Sequence, residues 1–166
     1  RPAADLEGAA QEVEPGAHGL TVLPYVYGER SPGYHDDARG SVLGLSPGTD
    51  AGAVYRAILE SIAFGFATVD DQLSAVLGTS PAIVASGGAL AHSPLLMQIL
   101  ADTLGRDIGV APSDESSRRG AALLALRGVG LRDRHDAIPI GTLHRVHHDP
   151  ARTARYQVAR ERRDAL

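Results

Sequence analysis

The chain has no cysteine and no tryptophan, and every one of its 16 basic residues is arginine, with no lysine anywhere. Without cysteine there is no disulfide, no thiolate nucleophile, no zinc finger and no iron–sulfur cluster. Without lysine there is no Walker-type phosphate lysine, no protein-kinase strand lysine and no Schiff-base chemistry. Against 20 acidic residues the arginines leave a net charge of -4, a mild acidity that argues against a nucleic-acid surface. No apolar run is expected to approach the roughly 18 residues of a membrane span, and residues 1–11 lack the apolar centre of a signal peptide. A cytoplasmic location is expected, with no membrane partner. The chain begins with Arg1 rather than Met, which fits a piece of a longer protein. What remains, 43% hydrophobic and 22% charged residues over 166 positions, suits one globular domain with a real core.

Glycine and proline divide the chain into elements. Residues 3–13 are alanine-rich and predict a helix, stopped by Pro15 and Gly16. Residues 19–27 read as a strand that Pro24 confines to an edge or a bulge. Residues 28–39 form a polar loop, and 41–45 a second short strand. Thr49 or Asp50 caps a long helix that Gly78 ends. Val54, Ile58, Ile62, Gly65, Val69, Leu73 and Val76 recur at steps of three or four and predict its apolar face. Residues 82–86 are a short apolar strand. Ser93 and Pro94 are the cap and first residue of a helix ending at Gly105. Residues 107–111 are another strand, and Ser113 or Asp114 opens a helix through Gly120. Strand, helix, strand, helix predicts a parallel crossover, hence an α/β fold. Beyond Leu131 the pattern is irregular, with an arginine-rich surface helix over 151–166.

The most informative local feature is Ser86-Gly87-Gly88-Ala89, placed between a strand and a capped helix. Paired glycines allow positive φ and let a ligand approach backbone closely. The helix starting near Ser93 is expected to present free N–H groups in the same direction, beyond the C-terminal end of a strand where α/β sheets bind ligands. A plain strand-to-helix turn accounts equally for the two glycines taken alone.

Ordered blocks extend this reading. They are Leu23 to Arg30 (LPYVYGER), Ser31-Pro32-Gly33, Ala38-Arg39-Gly40, Gly44-Leu45 and Arg56 to Glu60 (RAILE). They continue with Ala85 to Ala89 (ASGGA), Ser93-Pro94, Gln98, Ala101-Asp102, Leu104 to Arg106 (LGR) and Arg119 to Ala122 (RGAA). In order and spacing they resemble the C-terminal domain of the FGGY family of carbohydrate kinases over residues 16–130, with a weaker tail. The wording GERSPGY…DARG is most similar to gluconokinases, then xylulokinases. Ala53 departs from the family's second signature, which usually carries a polar or acidic residue there.

The resemblance implies an actin-like, ribonuclease-H-like ATPase domain, incomplete at its N-terminal end. Residues 1–166 would then be the C-terminal domain of a sugar kinase whose N-terminal domain is absent. It implies ATP with Mg²⁺ as cofactors and a sugar or sugar acid as partner substrate, and a homodimer is compatible with it. By analogy Gly88 backs the nucleotide and Gly87 shapes the turn, while His92 stands where relatives carry Asn. The family's Asp-x-Gly-Thr phosphate loop and aspartate base have no counterpart here, so no catalytic residue is assigned and the chain alone is expected to be inactive. The rival reading is a non-catalytic nucleotide-binding or dimerisation module.

Other clusters are assigned structural roles. Glu29, Arg30, Asp36, Asp37 and Arg39 read as an internal ion-pair network. Asp70-Asp71 fall on a helix exterior, and Asp114-Glu115 in a first turn where the dipole favours acids. His144, His147, His148 and Asp149 have metal-like composition but sit in a segment without regular pattern, so no metal is assigned. Gly128 and Gly130 do not follow a strand, which excludes a dinucleotide fingerprint.

Overall fold

In the computed structural model, residues 3–80, 82–87, 90, 92–111, 116–131 and 144–165 are described. The elements are α1 (Ala3–Gln11), β1 (Thr21–Leu23), β2 (Ser41–Leu43), α2 (Ala51–Leu77), β3 (Val84–Ala85), α3 (Pro94–Leu104), β4 (Ile108–Val110), α4 (Ser116–Gly128), β5 (His144–Val146) and α5 (Pro150–Asp164).

The helix ends follow their capping chemistry. Asp50 accepts from the Ala53 N–H at 2.8 Å to start α2, and Gly78 ends it in the left-handed region. Ser93 and Pro94 open α3, and Gly105 closes it. Strands β1 and β2 pair antiparallel, Val22 opposite Val42. Strand β3 pairs parallel to β4, Val84 opposite Gly109, so β3, α3 and β4 form the expected crossover.

The main core lies where α2, α3 and α5 meet, around Leu59, Ala63, Phe64, Ile99, Leu100 and Tyr156, and β4 contributes Ile108. Helix α1 crosses the start of α2 closely enough that a Cβ on Gly52 would stand 2.9 Å from the Ala9 carbonyl. A smaller cluster joins Leu20 and Val22 to Ala57.

Sequence expectations about α2 and about the stretch around His144 are corrected. The buried stripe of α2 is Gly52, Arg56, Leu59, Glu60, Ala63, Phe64 and Ala67, not the valine and isoleucine row. Small side chains let neighbouring helices approach on that stripe, and it carries a buried ion pair that a count of large apolar residues passes over. Ile58 and Ile62 instead line an open apolar trough of about 680 Å³ against β1 and β2, and Val76 is 84% exposed. Helix α2 is also long and apolar enough to cross a membrane by length and composition. Here it is the core helix that α1 and α3 pack against.

The stretch around His144 is not patternless. Residues 144–146 form β5, antiparallel to β4 with Val110 opposite His144. The last helix lies on the surface as expected, with one face turned inward: Tyr156 is 1% exposed and meets Phe64 edge-on, ring centroids 6.2 Å apart. Its arginines face outward to partners, Arg160 to Asp71 at 2.7 Å and Arg163 over the Phe64 ring at 5.5 Å. A composition rich in arginine hides two buried positions, Tyr156 and Ala159, spaced three apart on one face.

Candidate functional site

Strand β3 delivers the chain into the Gly87 turn at the edge of the three-stranded sheet. Gly87 has φ of +109°, a conformation L side chains rarely adopt, and a Cβ built on it would meet nothing within 4 Å among the described residues. The residue is therefore required by backbone geometry, and no described residue fills the space in front of it. Gly88, the second expected site residue, lies outside the described residues. His92 is exposed, on the turn just before α3.

The head of α3 differs from expectation. The Ser93 N–H donates to the Leu90 carbonyl at 3.4 Å, and Pro94 has no N–H to offer. The Leu95 N–H donates to Glu7 Oε1 at 3.2 Å, and the Leu96 N–H to Ser93 Oγ at 3.2 Å. Ser93 Oγ in turn donates to the same Glu7 oxygen at 2.9 Å. All the donors that a helix N-terminus leaves unpaired are thus taken within the chain. The carboxylate that the helix dipole attracts is the protein's own, so a phosphate finds no seat here. Sequence pattern did not show this, because Glu7 lies 86 residues before its partner and nothing in its neighbourhood marks it.

Beside this helix head a cleft of about 690 Å³ lies between α1 and α3, with Glu7, Gln11, Arg56, Gln98 and Arg152 among its lining. Neither Gly87 nor His92 belongs to it. Much of its polar lining already serves the fold. Gln98 Nε2 donates to Asp102 and to the His147 carbonyl, at 2.8 and 2.9 Å. Arg152 reaches Asp102 and Asp149 at 3.7 and 3.6 Å.

Arg56 belongs to a buried network. Its guanidinium donates to Glu60 Oε1 (2.8 Å), the Ala10 carbonyl (3.2 Å) and the Tyr156 hydroxyl (2.6 Å). Glu60 also accepts from the Gly16 N–H at 3.2 Å and from His18 Nε2 at 2.9 Å. The Leu20 N–H donates to His18 Nδ1, which leaves Nε2 to carry the proton given to Glu60. Burial pushes the Glu60 carboxyl up, but the His18 and Arg56 hydrogen bonds outweigh it and hold the group below the usual carboxylate range. Burial and the Glu60 charge push the Tyr156 hydroxyl up. Helices α1, α2 and α5 and the 16–18 loop converge on these groups; Arg56 touches the cleft from one side, but its donors are spent on Glu60, Ala10 and Tyr156, so the network is architecture.

The remaining charged clusters are also engaged. The expected ion-pair network of this loop is corrected: Arg39 donates to the backbone carbonyls of Asp36, Asp37 and Ala38 and Glu29 accepts from the Gly33 N–H, while the ion pair seen among the five is Arg30–Asp36, exposed and 4.0 Å long. Asp70 pairs with Arg106. His147 and His148 both turn Nδ1 to Asp107, at 2.8 and 3.1 Å, and these hydrogen bonds lower the Asp107 carboxyl to about 2. Among the described residues no three His, Asp or Glu side chains converge as metal ligands. Asp114 and Glu115 lie outside the described residues.

Chemically, the Gly87 turn offers a backbone approach, while the head of α3 has no free donor for an anion. For Mg²⁺ the described residues offer no ligand set.

Comparison with known proteins gives the family. Residues 2–129 match the model of the FGGY family of carbohydrate kinases, C-terminal domain. A gluconokinase of Bacillus licheniformis is 35% identical over 142 residues, 84% of this chain and 28% of that protein. A glycerol kinase of Photorhabdus laumondii is 40% identical over 129 residues, 77% of this chain and 25% of that protein. The crystal structure of a gluconate kinase from Lactobacillus acidophilus superposes with a TM-score of 0.82 at 28% identity, covering 98% of this chain and 33% of that one. The chain thus spans about a quarter to a third of the length of the relatives it matches. On the family match, the sequence identity and the superposition together, this chain is a C-terminal-domain member of the FGGY family of carbohydrate kinases, with the actin-like ATPase fold of that family.

Proposed function

We propose that this chain is the adenosine-binding lobe of an ATP-dependent carbohydrate kinase in the cytoplasm. The observation that carries this is the Gly87 turn: positive φ, space in front that no described residue fills, and a following helix whose donors are already spent. Gly87 shapes the turn, Gly88 lets the nucleoside approach backbone, and His92 offers a hydrogen-bonding edge. ATP supplies the phosphoryl group for a sugar hydroxyl, with Mg²⁺ on its phosphates. This chain's part is to hold and orient the nucleoside, since phosphoryl transfer depends mostly on positioning.

Gluconate is the substrate we favour, because a gluconokinase and a gluconate kinase are among the matches, and xylulose is next. The glycerol kinase match makes glycerol the necessary control. The test is steady-state kinetics of the chain carried within a full-length kinase, wild type against Gly88→Val, with ATP and gluconate varied in turn. The ATP KM is expected to rise roughly tenfold or more and the gluconate KM to stay within about twofold. Equal damage to both would mean a misfolded lobe, and an unchanged ATP KM would mean the glycines are only a turn. Turnover of glycerol or xylulose without gluconate would reassign the substrate.

A further inference from the structure

Glu7 joins α1 to the head of α3, the helix that follows the Gly87 turn. Its Oε1 takes two hydrogen bonds, from Ser93 Oγ and the Leu95 N–H, while Ser93, 9% exposed, caps the Leu96 N–H. The site residue His92 is the immediate neighbour of Ser93 in sequence. A carboxylate at this point does two things. It pins the head of α3, and with it the end of the turn, to α1. It also places a full negative charge where the helix dipole would otherwise draw an anion.

Resting on the adenosine-binding reading above, we infer that Glu7 is a positioning residue for the nucleotide turn and the internal anion that keeps phosphate off the α3 N-terminus. The positioning is done by its oxygen as an acceptor, and the exclusion of phosphate by its charge. Glutamine at position 7 keeps that oxygen at the same reach. Alanine removes it and leaves the Leu95 N–H and the Ser93 hydroxyl without their acceptor. Aspartate keeps the charge but stands one methylene short of both donors.

The experiment uses the 166-residue chain with adenosine and inorganic pyrophosphate as separate probes, followed by amide chemical shifts in NMR titrations. Glu7→Gln is expected to bind adenosine within about twofold of wild type. Glu7→Ala and Glu7→Asp are expected to bind it roughly tenfold more weakly, the scale of one lost charge-assisted hydrogen bond. Pyrophosphate is expected to shift the Leu95 and Leu96 amides in Glu7→Ala and to leave them unmoved in wild type. Should the alanine form not fold, Glu7→Asp and Glu7→Gln still separate reach from charge. Adenosine binding that survives both Glu7→Ala and Glu7→Asp, or that fails in Glu7→Gln as badly as in Glu7→Asp, overturns the positioning role. Pyrophosphate shifting these amides in wild type overturns the anion-excluding role. If wild type binds no adenosine, the nucleotide reading fails, while the pyrophosphate comparison still judges Glu7 by itself.

Discussion

Glu60 sits 1% exposed and keeps its charge because three donors converge on it, from Gly16, His18 and Arg56. Its folded carboxyl is held below the ordinary value of 4.5, so the sign of its contribution is fixed. The stability it provides is full above that value and is lost as pH falls below it. Asp107 acts in the same direction, its contribution disappearing between about 3.8 and about 2. Thermal midpoints measured at descending pH should therefore fall below about 4.5 in wild type. In Glu60→Gln the fall should be shallower, on top of a loss of about 3–5 kcal/mol near neutral pH from leaving Arg56 buried without its counter-charge. A Glu60→Gln form as stable as wild type would contradict this account of the network. Tyr156→Phe removes only the acceptor for Arg56 Nη2 and should cost about 1–3 kcal/mol in urea unfolding.

At the scale of elements, the crossing of α1 over α2 depends on Gly52. A methyl there meets the Ala9 carbonyl, a backbone atom that cannot swing aside, so Gly52→Ala should lose about 1–3 kcal/mol in the same assay. Strands, helices and their caps were largely legible in the sequence, because capping and glycine stops are local chemistry: Asp50, Gly78, Ser93, Pro94 and Gly105 each act within four residues. What could not be read depends on distant partners. The true buried face of α2 carries Arg56 and Glu60, whose burial is intelligible only once His18 and Tyr156 arrive from other elements. β5 has three residues and takes its identity from pairing with β4. The same holds at the site. Gly87 announced itself by its place after a strand, whereas Glu7 closes the helix head from α1 and no spacing rule connects them.

At the scale of the whole molecule, the chain covers 33% of the gluconate kinase structure it superposes on, and the function proposed above gives it the nucleoside side of the site. The resemblance that places the phosphate loop and the aspartate base elsewhere leads to a plain expectation. Purified chain, free of host kinases, should form no phosphorylated gluconate or xylulose from ATP in a product assay, and measurable turnover would refute the division of labour proposed here. It should still hold the nucleoside. The most direct measurement of that claim is a titration of the isotope-labelled chain with ATP and, separately, with AMP, followed at every amide. The account predicts saturable shifts centred on Gly87 and His92, nearly equal affinity for the two nucleotides, and a millimolar dissociation constant, about -4 kcal/mol. Amides at Gly87 and His92 that stay still while the α1–α3 cleft responds, or ATP binding far more tightly than AMP, would contradict it.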